Sequence, residues 1–118
     1  NIVKAQEPKW IPPTGKAIME VHVANNGMVL LKGARVLSVS GAVIVVETSW
    51  NAAQLQWKIN TDEAYYNSRH FGTKFLDFKG NVMAIQDVRV GSTIGVSGVL
   101  DVNAIQPTVK AEVVRIPD

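Results

Sequence analysis

The stretch MVLLKGARVLSVSGAVIVVET, residues 28–48, contains two β-branched, apolar runs separated by a short turn at residues 40–42. Apolar runs of this kind, bounded by glycine and serine, are typical of strands, so the stretch predicts a long β-hairpin. Gly33 interrupts the first run, and a glycine inside a strand often marks a bulge or a bend. The run from Val43 to Val46 is apolar at every position, which predicts a central strand covered on both faces.

Alternating patterns on both sides of this hairpin predict further strands. Residues 17–23 alternate and are followed by Asn-Gly, a strong hairpin signal, so this strand is expected to pair with the start of the central hairpin. Residues 54–60 alternate with Trp57 on the inner face. Two more strands are predicted at residues 92–101 and 108–116.

The main insert, residues 61–72, separates the third and fourth core strands. Thr61 suits a helix N-cap and Gly72 a helix stop, and one short helix or a pair of turns fits equally well. Another turn is expected within residues 81–90. This layout predicts an all-β fold, a small OB-like five-stranded antiparallel barrel plus an extra N-terminal strand and an extended Pro-rich arm. An antiparallel sandwich is the alternative.

Composition narrows the classes of function. The 118 residues suit one domain, which we divide into an extended N-terminal arm, residues 1–16, and a single OB-like β-barrel domain, residues 17–118. The net charge of +2, with the two signs interspersed, argues against nucleic acid as a partner. The absence of cysteine excludes disulfides, thiolate metal sites and cysteine nucleophiles. No apolar run is long enough for a membrane span.

The arm, NIVKAQEPKWIPPTG, combines apolar residues with prolines that favour an extended or polyproline conformation. Three interpretations are open: the arm folds back over its own core, it docks on a neighbouring subunit as a donor strand does, or it is a disordered linker. For the second case we predict these subunit contacts: Ile2, Val3, Trp10, Ile11, Pro12 and Pro13. The chain begins at Asn1 rather than methionine, and we expect a processed bacterial protein that is secreted or held at the cell surface.

Three stretches resemble a known domain family. They are LKGARVLSVSGAVIVV (31–46), WKINTD (57–62) and IQDVRVGSTIGVSGVLD (85–101). They are similar to the DUF5666 type, small OB-like β-barrel domains of unknown function in exported bacterial proteins. The first resembles the family's opening hairpin, the second its third strand and the third the start of its fourth strand. The resemblance implies an OB-like barrel and supplies no catalytic residues, and the arm and the strand at 17–23 are not part of the family's pattern.

Chemistry-bearing residues do not form a catalytic or metal-binding pattern. The two histidines are far apart in sequence, the Asp62-Glu63 pair lacks the ligand spacing of a calcium loop, and no nucleophile elbow occurs. We therefore predict no enzyme, no metal and no cofactor. Asn-x-Ser/Thr sequons are also absent, which leaves an O-linked glycan as the possible attached sugar.

The residues favour a non-enzymatic structural subunit of an extracellular filament or surface layer, a homopolymer joined by its arms. The alternative is an exported OB-type module that binds oligosaccharide or single-stranded nucleic acid through an aromatic face, because OB barrels often bind such polymers. The residues of that face would be Trp50, Lys58, Tyr65, Tyr66, Arg69 and His70. Other aromatic residues, namely Trp57, Phe71, Phe75 and Phe78, are expected in the core.

Overall fold

The computed structural model describes residues 19–50, 52–62, 65–66, 69–70 and 72–117. Within these ranges lie nine strands and one 3-10 helix, Ile85–Asp87. The strands are β1 (Glu20–Val23), β2 (Met28–Ser40), β3 (Val43–Trp50), β4 (Ala53–Asn60), β5 (Tyr65–Tyr66), β6 (Arg69–His70), β7 (Lys74–Asp77), β8 (Thr93–Leu100) and β9 (Thr108–Ile116). The predicted arm, residues 1–16, lies outside the described residues.

Five strands form a barrel. β2, β3, β4, β9 and β8 are hydrogen-bonded in that order, and β8 pairs with β2 again, which closes the ring. This confirms the predicted all-β fold with a five-stranded, OB-like barrel. The β4–β9 pair is parallel, whereas the other four pairs are antiparallel. An odd number of strands cannot alternate direction around a closed ring, so one parallel pair is unavoidable.

Two further strands extend the barrel sheet at its margins. β1 pairs antiparallel with the first half of β2, which confirms the extra N-terminal strand over residues 20–23 of the predicted 17–23. Residues 17 and 18 lie outside the described ranges. β7 pairs parallel with the end of β9, on the same side as β4.

Strand β2 bends at Gly33, as the sequence predicts. Gly33 has a φ of 69°, a left-handed conformation that residues with a Cβ adopt at a cost. The register with β8 shifts there, from Leu31 opposite Val96 to Ala34 opposite Ile94. Leu31 and Ala34 are consequently both fully buried although they are three positions apart. The bend lets one strand pair with β1 and β8 first and with β3 afterwards.

The barrel interior is filled by the inward residues of all five strands. The expectation that residues 43–46 are covered on both faces is wrong, because Ile44 and Val46 are fully buried whereas Val43 and Val45 are only half-buried. In a barrel wall only one face of a strand meets the core. Trp57 is buried as predicted, and its Nε1 donates a hydrogen bond to Thr48 Oγ1 at 2.9 Å.

The segment before β8 packs against the core. Met83 and Ile85 are partly buried there and Val88 is buried, so the turn predicted within residues 81–90 is confirmed. Phe75 also packs on the core, but Phe78 is 59% exposed, so its predicted core role is wrong. Phe78 follows the end of β7 and projects from a turn rather than from the barrel wall. Phe71 lies outside the described residues.

Two threonines connect the ends of the insert to the barrel through hydrogen bonds. Thr61 Oγ1 donates to the carbonyl of Ala42 at 2.6 Å, in the β2–β3 turn. Thr73 Oγ1 lies 2.5 Å from the carbonyl oxygen of Thr61 and 2.7 Å from that of Ala111 in β9. Between these points β5 and β6 form a two-stranded antiparallel ladder, and no α-helix occurs in the described part of the insert.

Candidate functional site

A groove with a volume of about 750 Å³ runs along β8 on the outer wall of the barrel. We call it the β8 groove. Its walls come from β2 on one side and β9 on the other, and the turn after β7 contributes Phe78. The residues that shape it are Leu30, Lys32, Gly95, Ser97, Val113 and Arg115.

The groove exists because the outward residues of β8 are small. Side chains alternate between the two faces of a strand, and residues directly opposite each other on paired strands share a face. Ser97 lies opposite Leu30 of β2 and Val113 of β9. Gly95 lies opposite Arg115 and next to the bulge of β2. The surface of β8 therefore lies below the longer side chains of the two neighbouring strands, β2 and β9.

Two cationic side chains flank the glycine in the floor. Lys32 comes from the bulge of β2, and its Nζ lies 3.6 Å from Oε2 of Glu20 in β1. Arg115 comes from β9, and its Nη1 donates a hydrogen bond to the carbonyl of Asp77 at 3.2 Å. Next to this cationic zone, Leu30 and Val113 make the walls apolar. The β8 groove thus suits a chain that carries an acidic side chain beside an apolar one.

A buried carboxylate fixes the turn that carries Phe78. Asp77 is 7% exposed, and its Oδ1 accepts the backbone N–H groups of Lys79 at 2.9 Å and Asn81 at 2.8 Å. Its Oδ2 accepts the side-chain N–H of Asn81 at 2.9 Å. Hydrogen bonds to a charged acceptor are stronger than neutral ones. The aromatic ring of Phe78 is therefore presented at the groove by a rigid turn.

The structure does not bring together the described members of the predicted aromatic face. Trp50 is the last residue of β3 and lies opposite Ala53. It is on the same, inward-facing side of the β3–β4 hairpin as Thr48 and Leu55, but it lies beyond the packed core and is 45% exposed. Lys58 lies opposite Val45 on the outward-facing side. The two side chains consequently leave opposite faces of the β3–β4 hairpin.

The other predicted site residues lie partly or wholly beyond the described structure. The β5–β6 ladder places Tyr65 opposite His70 and Tyr66 opposite Arg69, and only the backbone of these residues is described. The predicted arm contacts are outside the described ranges. These are Ile2, Val3, Trp10, Ile11, Pro12 and Pro13.

Sequence reasoning missed the β8 groove. Gly95 faces outward in its floor, whereas Gly98 is buried against β9. A usable signal was present, because small residues recur at every second position in Thr93, Gly95 and Ser97. On a strand this period places them on one face.

The described residues hold neither a cluster of metal ligands nor a buried side-chain polar atom without a partner. Among them, no three or more His, Asp or Glu side chains gather as a metal site would require. Every buried side-chain nitrogen or oxygen in this part of the chain has a hydrogen-bond partner. None of its helices has the length and apolar character needed to cross a bilayer.

Comparison of the chain with protein-family models, with curated proteins and with solved structures gives no match. The similarity to the DUF5666-type domain rests on the three stretches quoted above and stays a prediction.

Proposed function

We propose that this chain is a non-enzymatic structural subunit of an extracellular filament or surface layer, in which the arm of one subunit docks on the next. The observation that carries the proposal is the β8 groove, an outer-wall groove beside the strand that follows the arm in sequence. A contact between two different surfaces of identical subunits repeats head to tail, and it builds a filament when the rotation does not close.

The filled interior supports an outer-wall contact rather than an internal ligand. The core side chains of Leu31, Ile44 and Ile59 are fully buried. Small barrels of this kind have side chains where larger barrels have a cavity. A partner is therefore expected on the outside of the wall, where the β8 groove lies.

The position of β1 supports the arm as the connector. His22 and Glu20 of β1 lie opposite Leu30 and Lys32, two of the residues that line the β2 side of the groove. β1, which the arm precedes in sequence, thus lies on the wall that carries the groove. Prolines limit the conformations of a free chain, so a Pro-rich arm loses less entropy when it docks.

The proposal is tested by the solution mass of the full chain and of a chain that lacks residues 1–14. Light scattering and negative-stain imaging should show polymers for the full chain and a folded monomer for the truncated one. A mass near 12.8 kDa for the full chain at all concentrations would rule out a homopolymer. Polymers of the truncated chain would show that the arm is not the connector.

A second candidate function is binding of an oligosaccharide or a single-stranded nucleic acid. The observation that favours it is the exposed Trp50 at the tip of the β3–β4 hairpin, because exposed aromatic rings stack on sugars and bases. It predicts binding of a monomer to a polymer, lost in Trp50→Ala. A steep decrease in affinity with salt would indicate nucleic acid, and a flat dependence would indicate a neutral sugar.

A further inference from the structure

We infer that the β8 groove of one copy holds residues 7–13 of a second copy, with Glu7 between Lys32 and Arg115 and Trp10 between Leu30 and Val113. This inference rests on the proposed function and names the docking surface and the residues that fill it.

Charge complementarity selects the part of the arm. Eighteen residues precede Met19, and Glu7 is the one acidic residue among them. The groove presents two cations on either side of Gly95, from β2 and from β9. An acidic side chain placed between Lys32 and Arg115 gains two favourable interactions, whereas the arm's lysines would be repelled there.

Spacing places Trp10 in the apolar part of the groove. Pro8, Pro12 and Pro13 favour a polyproline helix, which has three residues per turn and rises ~3.1 Å per residue. Glu7 and Trp10 then lie on the same side of the arm, ~9 Å apart. Along β8, Ser97 is two residues from Gly95, or ~7 Å. Long side chains cover the remaining difference, so Trp10 reaches the space above Ser97.

The chemistry of that space suits an indole. The hydroxymethyl group of Ser97 leaves room on the floor, and Leu30 and Val113 stand opposite it on the two neighbouring strands. A tryptophan ring buries a large apolar area, and adjacent cations attract its face. The prolines that follow Trp10 are preorganised for docking on a shallow apolar surface.

The first test fills the groove in the full-length chain. Ser97→Trp occupies the place assigned to Trp10, and we expect it to abolish polymers at concentrations where the original chain assembles. Ser38→Trp is the matched control, because Ser38 is exposed on β2 opposite Val45, outside the groove. Polymers of Ser97→Trp that form as well as those of Ser38→Trp would overturn the groove assignment.

The second test reverses charges in two separate full-length chains. Glu7→Lys and Arg115→Glu should each raise the concentration needed for assembly about tenfold or more, because each creates like-charge contacts at the interface. An equimolar mixture of the two should assemble again, since each arm then finds a complementary groove on the other chain. Arg89→Glu, an exposed arginine outside the groove, controls for the change in net charge.

The outcomes separate this inference from the proposed function. If deletion of residues 1–14 abolishes polymers but neither Ser97→Trp nor the charge reversals affect them, the arm docks elsewhere and only the groove assignment is lost. If the double variant Glu7→Lys/Arg115→Glu recovers but the mixture does not, the arm occupies its own groove and the second copy is overturned. If the original chain never assembles, both proposals fail together.

Discussion

The outer surfaces of β4 and β8 differ in shape, although side chains alternate between the inner and outer faces in the same way on both strands. On β4 the outward residues include Gln56 and Lys58, whose long side chains cover the wall. On β8 the outward residues along the groove are Thr93, Gly95 and Ser97, which are small and leave the groove open. The inward residues of both strands pack in one core. The inward pattern therefore builds the barrel, and the size of the outward residues determines where a partner can lie.

Two glycines of β8, Gly98 on the inner face and Gly95 on the outer face, show the same difference. Substitution of Gly98 gives the largest expected change in the free energy of unfolding. A Cβ on Gly98 would overlap the carbonyl oxygen of Lys110 and lie 2.9 Å from Cα of Ala111. Both are backbone atoms of β9 and cannot move aside as a flexible side chain can. We expect Gly98→Ala to lower the free energy of unfolding by about 3 kcal/mol or more, measured by urea denaturation.

Gly95 is the matched control for Gly98. A Cβ there would lie 3.6 Å from Cβ of Arg115 and 3.6 Å from the carbonyl oxygen of Leu31, which are ordinary contacts. Gly95→Ala should change the free energy of unfolding by less than about 1 kcal/mol. Equal stability of the two variants would show that β8 and β9 do not approach as closely at Gly98 as the structure indicates.

Substitutions of Asp77 and Asp101 compare a turn at the groove with a turn away from it. Asp77 accepts three hydrogen bonds and is buried, whereas Asp101, in the β8–β9 loop, is only half-buried and accepts the N–H of Asn103 at 3.1 Å. We expect Asp77→Ala to destabilise the protein by about 2 kcal/mol and Asp101→Ala by about 0.5 kcal/mol in thermal or urea unfolding. A larger loss for Asp101→Ala would contradict the role assigned to the Asp77 turn.

The barrel could be predicted because its signals are local and periodic. The last strand occupies residues 108–116 as predicted, Gly33 marks the bend, and Trp57 is buried. Each depends on a few neighbouring residues and on the two-residue period of a strand. The number of core strands and the position of the insert predicted the OB-like layout, and the parallel β4–β9 pair follows from closing five strands into a ring.

The groove could not be predicted because it depends on three strands that are distant in sequence. Ser97 lies at the bottom of a groove only because the longer side chains of Leu30 and Val113 lie on either side of it. The β2–β8 and β8–β9 registers determine that arrangement. The same reason explains the error at Phe78. Its exposure follows from the turn that Asp77 organises, which hydrophobicity alone does not reveal.

The bend that shapes the β2 side of the groove gives a smaller effect. Gly33 has a φ of 69°, whereas Gly72 is exposed, has no positive φ and has no neighbour among the described residues within 4 Å of the position of a Cβ. We expect Gly33→Ala to cost about 1–2 kcal/mol of unfolding free energy and Gly72→Ala to be neutral or slightly stabilising. Urea denaturation measures both, and a neutral Gly33→Ala would contradict the left-handed bulge.

The smallest effect on stability, from Lys32→Ala, separates the folding role of the groove wall from its docking role. The Lys32–Glu20 pair spans 3.6 Å between side chains that are 60% and 38% exposed. Exposed ion pairs of this kind contribute little, so Lys32→Ala should change the free energy of unfolding by about 0.5 kcal/mol or less. Its effect on assembly should be larger, because the arm's Glu7 would lose one of its two cationic partners.

Lys58→Ala supplies the comparison from the opposite wall, since Lys58 is an outward lysine on β4. Both variants remove one positive charge and a similar length of side chain, so a general effect of net charge on assembly must be the same in both. Light scattering across a concentration series should show weaker assembly for Lys32→Ala alone. If assembly is weakened equally in the two variants, both lysines act through long-range electrostatics, and Lys32 does not contact the docked arm.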